Sequence, residues 1–340
     1  MKHKIGILGF GTVGQGITEI LIEKQEELKK KYGFKFEIVA VADFKFGNVY
    51  NPKGLDLPLL LKEAKAGKKF TKDVVDWDNE KLIKKSKTTV WCELSYTDLN
   101  TGGPAIGHVT AALKSGKHVV TSNKGPAALM YPKFKKMADK HEVKFLIEGT
   151  VVAGTPVINL ADGPLAGCKI SKIRGILNGT TNYMLTEMEK GMSYDEVLKI
   201  AQEKGYAEAD PTGDVEGYDA RGKVTILANI VMGAGISISD VACKGITGIT
   251  ASDIEKAKKQ NKRWKLIGSV EMSDNGATGS VNPEMIDLTH PLAGVMGATN
   301  ALTFSTDLLG DVTIVGPGAG KKETGFAILT DLLKIHREGK

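Results

Sequence analysis

The first residues able to do chemistry form a glycine set near the N-terminus, Gly9-Phe10-Gly11-Thr12-Val13-Gly14. It has the spacing G-x-G-x-x-G, follows the apolar run KIGIL, opens an amphipathic segment over 13–31, and precedes a second apolar run, FEIVAVAD, that ends at Asp43. The hexapeptide alone is a weak signal. Inside a strand-helix-strand unit it has a physical reading: Gly9 permits the tight turn, Gly11 lets the backbone approach a pyrophosphate, and Gly14 lets the helix pack on the strand. The N–H groups at the start of the helix then face the phosphates, with Phe10, Thr12 and Val13 in the same turn. Asp43 stands 29 residues after Gly14, later than the usual spacing of about 20, because EKQEELKKKYGF lengthens the intervening helix. A carboxylate there accepts from a ribose 2′-hydroxyl and repels a 2′-phosphate, which favours NAD. Lys45 could attract the phosphate of NADP, so NAD(P) stays open as the cofactor.

A second group is cationic. Lys124 closes Thr121-Ser122-Asn123-Lys124 at the carboxyl end of a predicted parallel strand, the edge where ligands bind in such sheets. Asp219 and Lys223, four apart on a helix predicted over 216–232, share one face. An isolated pair of that kind is an ordinary helical salt bridge. Here the preceding segment carries Glu208, Asp210, Asp214 and Glu216, interrupted by Pro211 and Gly213, which makes poor helix and a good rim for an amine. An ammonium beside a carbonyl stabilises the oxyanion that reduction creates and can deliver its proton.

These residues need a frame, and the patterning supplies it. Over 1–133 near-continuous apolar runs (KIGIL, FEIVAVAD, TTVWCEL, HVVTSN) alternate with helical segments such as 107–115, the signature of a doubly wound α/β Rossmann domain. Residues 134–300 read as a second α/β domain with a mixed sheet. A capping box at Ser193-Tyr194-Asp195-Glu196 starts a helix that ends at Gly205, and Asp274-Asn275-Gly276 turns a hairpin. The segment 301–340, with two strands, a glycine-rich loop and a final helix, is expected to rejoin the first domain.

Composition narrows the function classes. With 340 residues, 41% hydrophobic and 25% charged, the chain suits two ordinary cores. No stretch approaches a membrane span, and the charged start has no cleavage site, so no membrane partner and a cytoplasmic location are expected. The net charge of +6 is spread over dispersed lysines, and only four of the 46 basic residues are arginine, so no nucleic-acid partner is expected. Cys92, Cys168 and Cys243 are far apart and form neither a disulfide framework nor a zinc motif.

The runs KGYAEADPTGDVEGYDARGK (204–223), GILNGTTNYML (175–185), TSNKGP (121–126) and GPGAG (316–320) resemble homoserine dehydrogenases over essentially the whole chain. The resemblance implies reversible NAD(P)-dependent reduction of L-aspartate 4-semialdehyde to L-homoserine, in threonine, methionine and isoleucine biosynthesis. It implies Lys223 as acid and base with Lys124 assisting, and Glu208, Asp214 and Asp219 around the substrate's α-ammonium. Ser95, Thr97, Ser122 and Lys124 join the cofactor set, with Gly205 and Gly318 approaching through backbone. Glu148 and the carbonyls of Val151, Ala153 and Thr155 correspond to a monovalent-cation site, commonly Na+, and the second domain's sheet to a homodimer contact. Small departures stand at Ser122, where alanine is common, at Gly149 in place of the usual Glu-Ala-Thr alanine, and at Thr324-Gly325 in place of Thr-Ala. The chain is expected to lack a regulatory ACT domain and an aspartokinase.

Two rival readings remain. A thioester-forming semialdehyde dehydrogenase needs an activated cysteine with a histidine. A non-catalytic NAD(H) sensor needs the glycines but has no use for both lysines and the carboxylates.

Overall fold

In a computed structural model describing residues 2–339, the chain folds as two units, 1–153 with 320–340 and 154–319. The first unit runs β1 (Lys2–Leu8), α1 (Thr12–Tyr32), β2 (Lys35–Asp43), β3 (Gly47–Tyr50), α2 (Leu57–Lys65), α3 (Asn79–Lys85), β4 (Val90–Glu93), α4 (Gly103–Lys114), β5 (His118–Thr121), α5 (Lys124–Lys140) and β6 (Phe145–Leu146). Its sheet has the order β3-β2-β1-β4-β5-β6, parallel except for the edge strand β3. That order reverses between β1 and β4, the switch point at which α/β sheets bind ligands. The strands are buried on both faces, as their apolar runs require, and Ile5, Ile7, Ile38, Val41, Val90 and Cys92 pack into one core.

The second unit follows with α6 (Val157–Asp162), β7 (Ile170–Ile176), α7 (Gly179–Met188), α8 (Tyr194–Glu203), α9 (Thr212–Val215), α10 (Tyr218–Val231), β8 (Val241–Cys243), α11 (Ala251–Lys259), β9 (Lys262–Ser273), β10 (Gly276–Asp287), β11 (Thr299–Thr306) and β12 (Gly310–Pro317). Its mixed sheet runs β12-β11-β7-β9-β10-β8, with only the β10–β8 pair parallel. The hairpin turns at Asp274-Asn275, and the capping box closes as read, Ser193 N–H donating to Glu196 while the Ser193 hydroxyl accepts from the Glu196 N–H. Gly205 follows α8 with φ +73. The helix expected over 216–232 begins later, because Gly217 takes φ +81 and separates α9 from α10.

The domain boundaries differ from the sequence expectation at both ends. Residues 134–153 stay in the first unit because α5 continues to Lys140 and β6 pairs with β5. Residues 301–319 belong to the second, because β11 pairs antiparallel with β7 and β12 with β11. Only α12 (Lys321–Glu338) rejoins the first unit, where it lies along α1. The approach is close: a methyl at Gly16 would lie 2.2 Å from the Lys321 carbonyl oxygen, and one at Gly325 would lie 2.9 Å from Ile17 N. Gly325 is therefore the residue this packing needs.

Candidate active site

In the first unit the glycine turn joins β1 to α1. Gly9 has φ +89, and a Cβ there would meet the Leu94 carbonyl oxygen at 2.6 Å; one at Gly14 would meet the Gly9 carbonyl oxygen at 2.3 Å. Both positions are closed to any side chain. Gly11, by contrast, faces open space, with nothing within 4 Å of a Cβ, and caps α1 without any side-chain hydrogen bond. The first turn of α1 carries no acidic residue, so the helix supplies no carboxylate of its own to offset its partial positive charge. These are the features that a pyrophosphate requires, and Phe10, Thr12 and Val13 lie in the same turn.

Asp43 is tied to this turn directly. Its Oδ2 accepts from Phe10 N at 2.7 Å, and its Oδ1 from Lys45 N at 2.8 Å and Phe46 N at 3.2 Å. An ionised carboxylate has about four acceptor sites, so the three bonds fix its orientation and leave about one site unused by them. The Lys45 ammonium lies over the Phe46 ring, 5.5 Å from its centroid.

At the carboxyl edge of β4 and β5 lie the other candidates of this unit. Ser95 donates to the Glu93 carboxylate, Thr97 is exposed, Ser122 is half-buried, and Lys124 is the first residue of α5 behind its cap Asn123. The departures at 122 and 149 meet here, for a Cβ on Gly149 would come within 2.8 Å of the Ser122 Cβ. Glu148 is buried and its N–H donates to Asp331 Oδ2 at 2.9 Å. Val151 and Ala153 are buried in this unit, whereas Thr155, also buried, belongs to the second and donates to the Pro317 carbonyl at 3.0 Å.

The second unit gathers the substrate candidates. The Lys223 ammonium, buried on α10, donates to Asp219 Oδ2 at 2.6 Å and to the Leu177 carbonyl at 2.7 Å. Asn178 Nδ2 bridges Asp214 Oδ1 at 2.6 Å and Asp219 Oδ2 at 3.0 Å, while its Oδ1 caps α7. Burial, and then the like charge of Asp219, hold Asp214 above the usual carboxylate range against the opposing Asn178 bond and Lys223 charge. Thus Asp214, Asp219 and Lys223 share one network, of which helical spacing alone had paired Asp219 with Lys223. Glu208 does not enter it: its side chain is exposed and makes no hydrogen bond or ion pair among the described residues. Gly205 is exposed beside it in sequence.

Two residues in this unit were missed from the sequence. Asn178 orients both carboxylates, and the motif ILNGTTN was its only sequence signal. Asn300 is buried, donates to the Ile176 carbonyl at 2.8 Å and presses on Gly318, where a Cβ would lie 1.7 Å from its Oδ1. The need for glycine at 318 is therefore a packing one.

Cys92 and Cys243 do not support thioester chemistry. Burial raises the thiols of Cys92 and Cys243 above their ordinary range, and the Cys243 thiol donates to the Glu216 carbonyl at 3.3 Å. No described helix is long and apolar enough to cross a membrane.

A Rossmann unit with an open glycine turn and a carboxylate at the end of β2 bonded to that turn, followed by a second unit with a carboxylate-held lysine, defines an NAD(P)-dependent oxidoreductase. Residues 9–148 match the homoserine dehydrogenase NAD-binding domain, and 156–333 match the homoserine dehydrogenase domain. The chain belongs to the homoserine dehydrogenase family. It is 44% identical over 340 residues to the NAD(+)-dependent homoserine dehydrogenase of Pseudomonas canavaninivorans, covering 99% of this chain and 97% of that one. A crystal structure from Archaeoglobus fulgidus superposes with a TM-score of 0.89 at 39% identity, covering 98% and 99% of the two chains. A hyperthermophilic archaeal homoserine dehydrogenase in complex with NADPH superposes with 0.84 at 28%, covering 99% and 98%.

Proposed function

We propose that the chain interconverts L-homoserine and L-aspartate 4-semialdehyde with NAD preferred over NADP, and that Lys223 is its proton donor and acceptor. The observation that carries this is the Lys223 ammonium, held at 2.6 Å from Asp219 and 2.7 Å from the Leu177 carbonyl with its stem buried. Two acceptors fix the ammonium and leave its third N–H for a substrate oxygen. When bound, the nicotinamide supplies and takes the hydride. As the aldehyde oxygen gathers charge, the Lys223 N–H stabilises it and passes over its proton; in the reverse direction the amine removes the proton from the hydroxyl.

Asp214 and Asp219 suit the substrate's α-ammonium. Asn178 holds the two carboxylates together at a repulsive cost that an incoming cation relieves, and Glu208 on the exposed segment before them is assigned to the same group. In the first unit Gly9, Gly11 and Gly14 with Phe10, Thr12 and Val13 hold the pyrophosphate, and Asp43 the adenosine ribose. Ser95, Thr97, Ser122 and Lys124 are assigned to the nicotinamide end, and Gly205 and Gly318 to backbone contacts with the cofactor. Glu148, Val151, Ala153 and Thr155 are assigned to Na+, the buried Glu148 carboxylate being a hard oxygen donor of the kind such an ion takes. The enzyme is assigned to the cytoplasm as a homodimer.

The test is homoserine-dependent reduction of NAD and NADP measured side by side. A higher kcat/KM with NAD is expected, and the reverse order removes Asp43 from its role. Lys223→Ala should lower kcat by at least about a hundredfold with NADH affinity retained. Turnover within about tenfold of the parent refutes the assignment. Glu208→Ala should act on the homoserine KM.

A further inference from the structure

Glu93 ends β4 with its side chain fully buried, and none of the chemistry above uses it. A carboxylate is costly to bury unless its lone pairs are met. Here only one oxygen is served: Oε1 accepts from the Ser95 hydroxyl and lies 3.2 Å from His108 Nδ1, whereas Oε2 is buried with no partner. A neutral His108 with its proton on Nδ1 meets both of its contacts, donating to Glu93 and accepting at Nε2 from Asn79 Nδ2 at 3.0 Å. Asn79 Oδ1 in turn accepts from Asn48 at 3.2 Å. The network thus reaches from β3 through α3 and α4 to the carboxyl edge of β4.

Its other end is the start of α5. Asn123 Nδ2 donates to Ser95 Oγ at 3.4 Å, to the Ser95 carbonyl at 3.2 Å and to the Tyr96 carbonyl at 2.8 Å. Its Oδ1 accepts from Gly125 N at 3.0 Å and so caps the helix whose first residue is Lys124. A second strap leaves the same glutamate: Thr121 Oγ1 donates to the Glu93 carbonyl at 2.6 Å and accepts from Asn123 N at 2.9 Å. Side chain and backbone of Glu93 therefore converge on the one residue that sets where α5 begins.

We propose that Glu93 is a positioning residue that acts through Ser95, Thr121 and Asn123 to fix the start of α5 and with it Lys124. This rests on the reading that Lys124 takes part in turnover. A lysine has a long flexible stem, so the placement of its Cα is what a buried network can control. Misplacing such a group by about 1 Å can cost about a hundredfold in rate.

The test is a double-mutant cycle on the intact enzyme. Glu93→Gln keeps the shape of the side chain and removes its charge. It should lower kcat about tenfold, with NADH affinity read from nicotinamide fluorescence little changed and the melting temperature retained. Lys124→Ala by itself tests the underlying reading; full turnover there overturns that reading and this proposal with it. If Lys124→Ala is impaired, adding Glu93→Gln to it should cause no further loss, because the two act in series. Parent-like kcat in Glu93→Gln, or losses that multiply in the double variant, overturns the positioning role while leaving Lys124 in place. Should Glu93→Gln fail to fold, Asn123→Asp decides: it keeps the Oδ1 cap on Gly125 but loses the Nδ2 donor, and parent-like turnover there also overturns the proposal.

Discussion

Acidification should loosen the cofactor-binding unit through His3, and the size of the effect follows from how that residue is buried. His3 is the second residue of β1, the strand that leads to Gly9, and only 5% of its surface is exposed. Its ring stacks on Phe34 with centroids 5.2 Å apart, and its Nε2 lies 3.1 Å from His336 Nδ1. His336 Nε2 in turn reaches the Tyr32 carbonyl at 3.1 Å, so the contact joins β1, α1 and α12. Burial first, then the charges of His336 and His118, lowers the His3 pKa from 6.5 to about 4. Because the folded value is the lower one, between pH 6.5 and about 4 the unfolded chain binds more protons, and stability falls as pH falls. The contribution is complete above pH 6.5 and lost as pH passes down through about 4. At 1.36 kcal/mol per unit the loss is about 3 kcal/mol, or roughly 6–12 °C in Tm for a unit of this size. The assay is thermal unfolding followed by circular dichroism from pH 7 to 4, with His3→Phe as the control. NADH at about a hundred times its Kd should return about 2.7 kcal/mol. An unchanged pH slope in His3→Phe would falsify the assignment of this acid sensitivity to His3.

The glycines give sharper contrasts. Gly11→Ala should fold normally, since its Cβ enters open space, yet weaken NAD(H) by at least about tenfold in a titration. Gly14→Ala should instead cost stability, with its Cβ 2.3 Å from a carbonyl oxygen; equal melting temperatures for the two would contradict this account. Gly318→Ala should lose activity by collision with Asn300, and Asn300→Ala added to it should restore part of the loss, which steady-state kinetics of the pair checks. Replacing sodium with choline should lower both Tm and turnover if the segment around Glu148 binds the ion, and indifference of both removes that assignment.

The cofactor half of the candidate site could be proposed from sequence because its demands are local. A strand, three glycines, a helix and a terminal carboxylate lie within 43 residues, and each has a steric or electrostatic task that few residue types perform. The i, i+4 pair of Asp219 and Lys223 was equally readable, since helical spacing alone puts both on one face. Glu93 gave no such signal. It closes a short apolar strand, and its meaning depends on His108 and Asn123, which the chain brings to it from different elements.

The same division explains the misplaced boundary. Composition and periodicity determined that residues 301–317 form strands, that a glycine loop follows, and that a helix closes the chain. They contained nothing about which sheet those strands enter, because strand pairing depends on backbone hydrogen bonds and core faces shared with residues more than a hundred positions away. Tertiary structure made that choice by pairing β11 with β7, which places Asn300 against the Ile176 carbonyl, one residue before the carbonyl that holds Lys223. Local chemistry is written in neighbouring residues; the company a side chain keeps is decided only when distant backbone hydrogen bonds and buried surfaces are satisfied together.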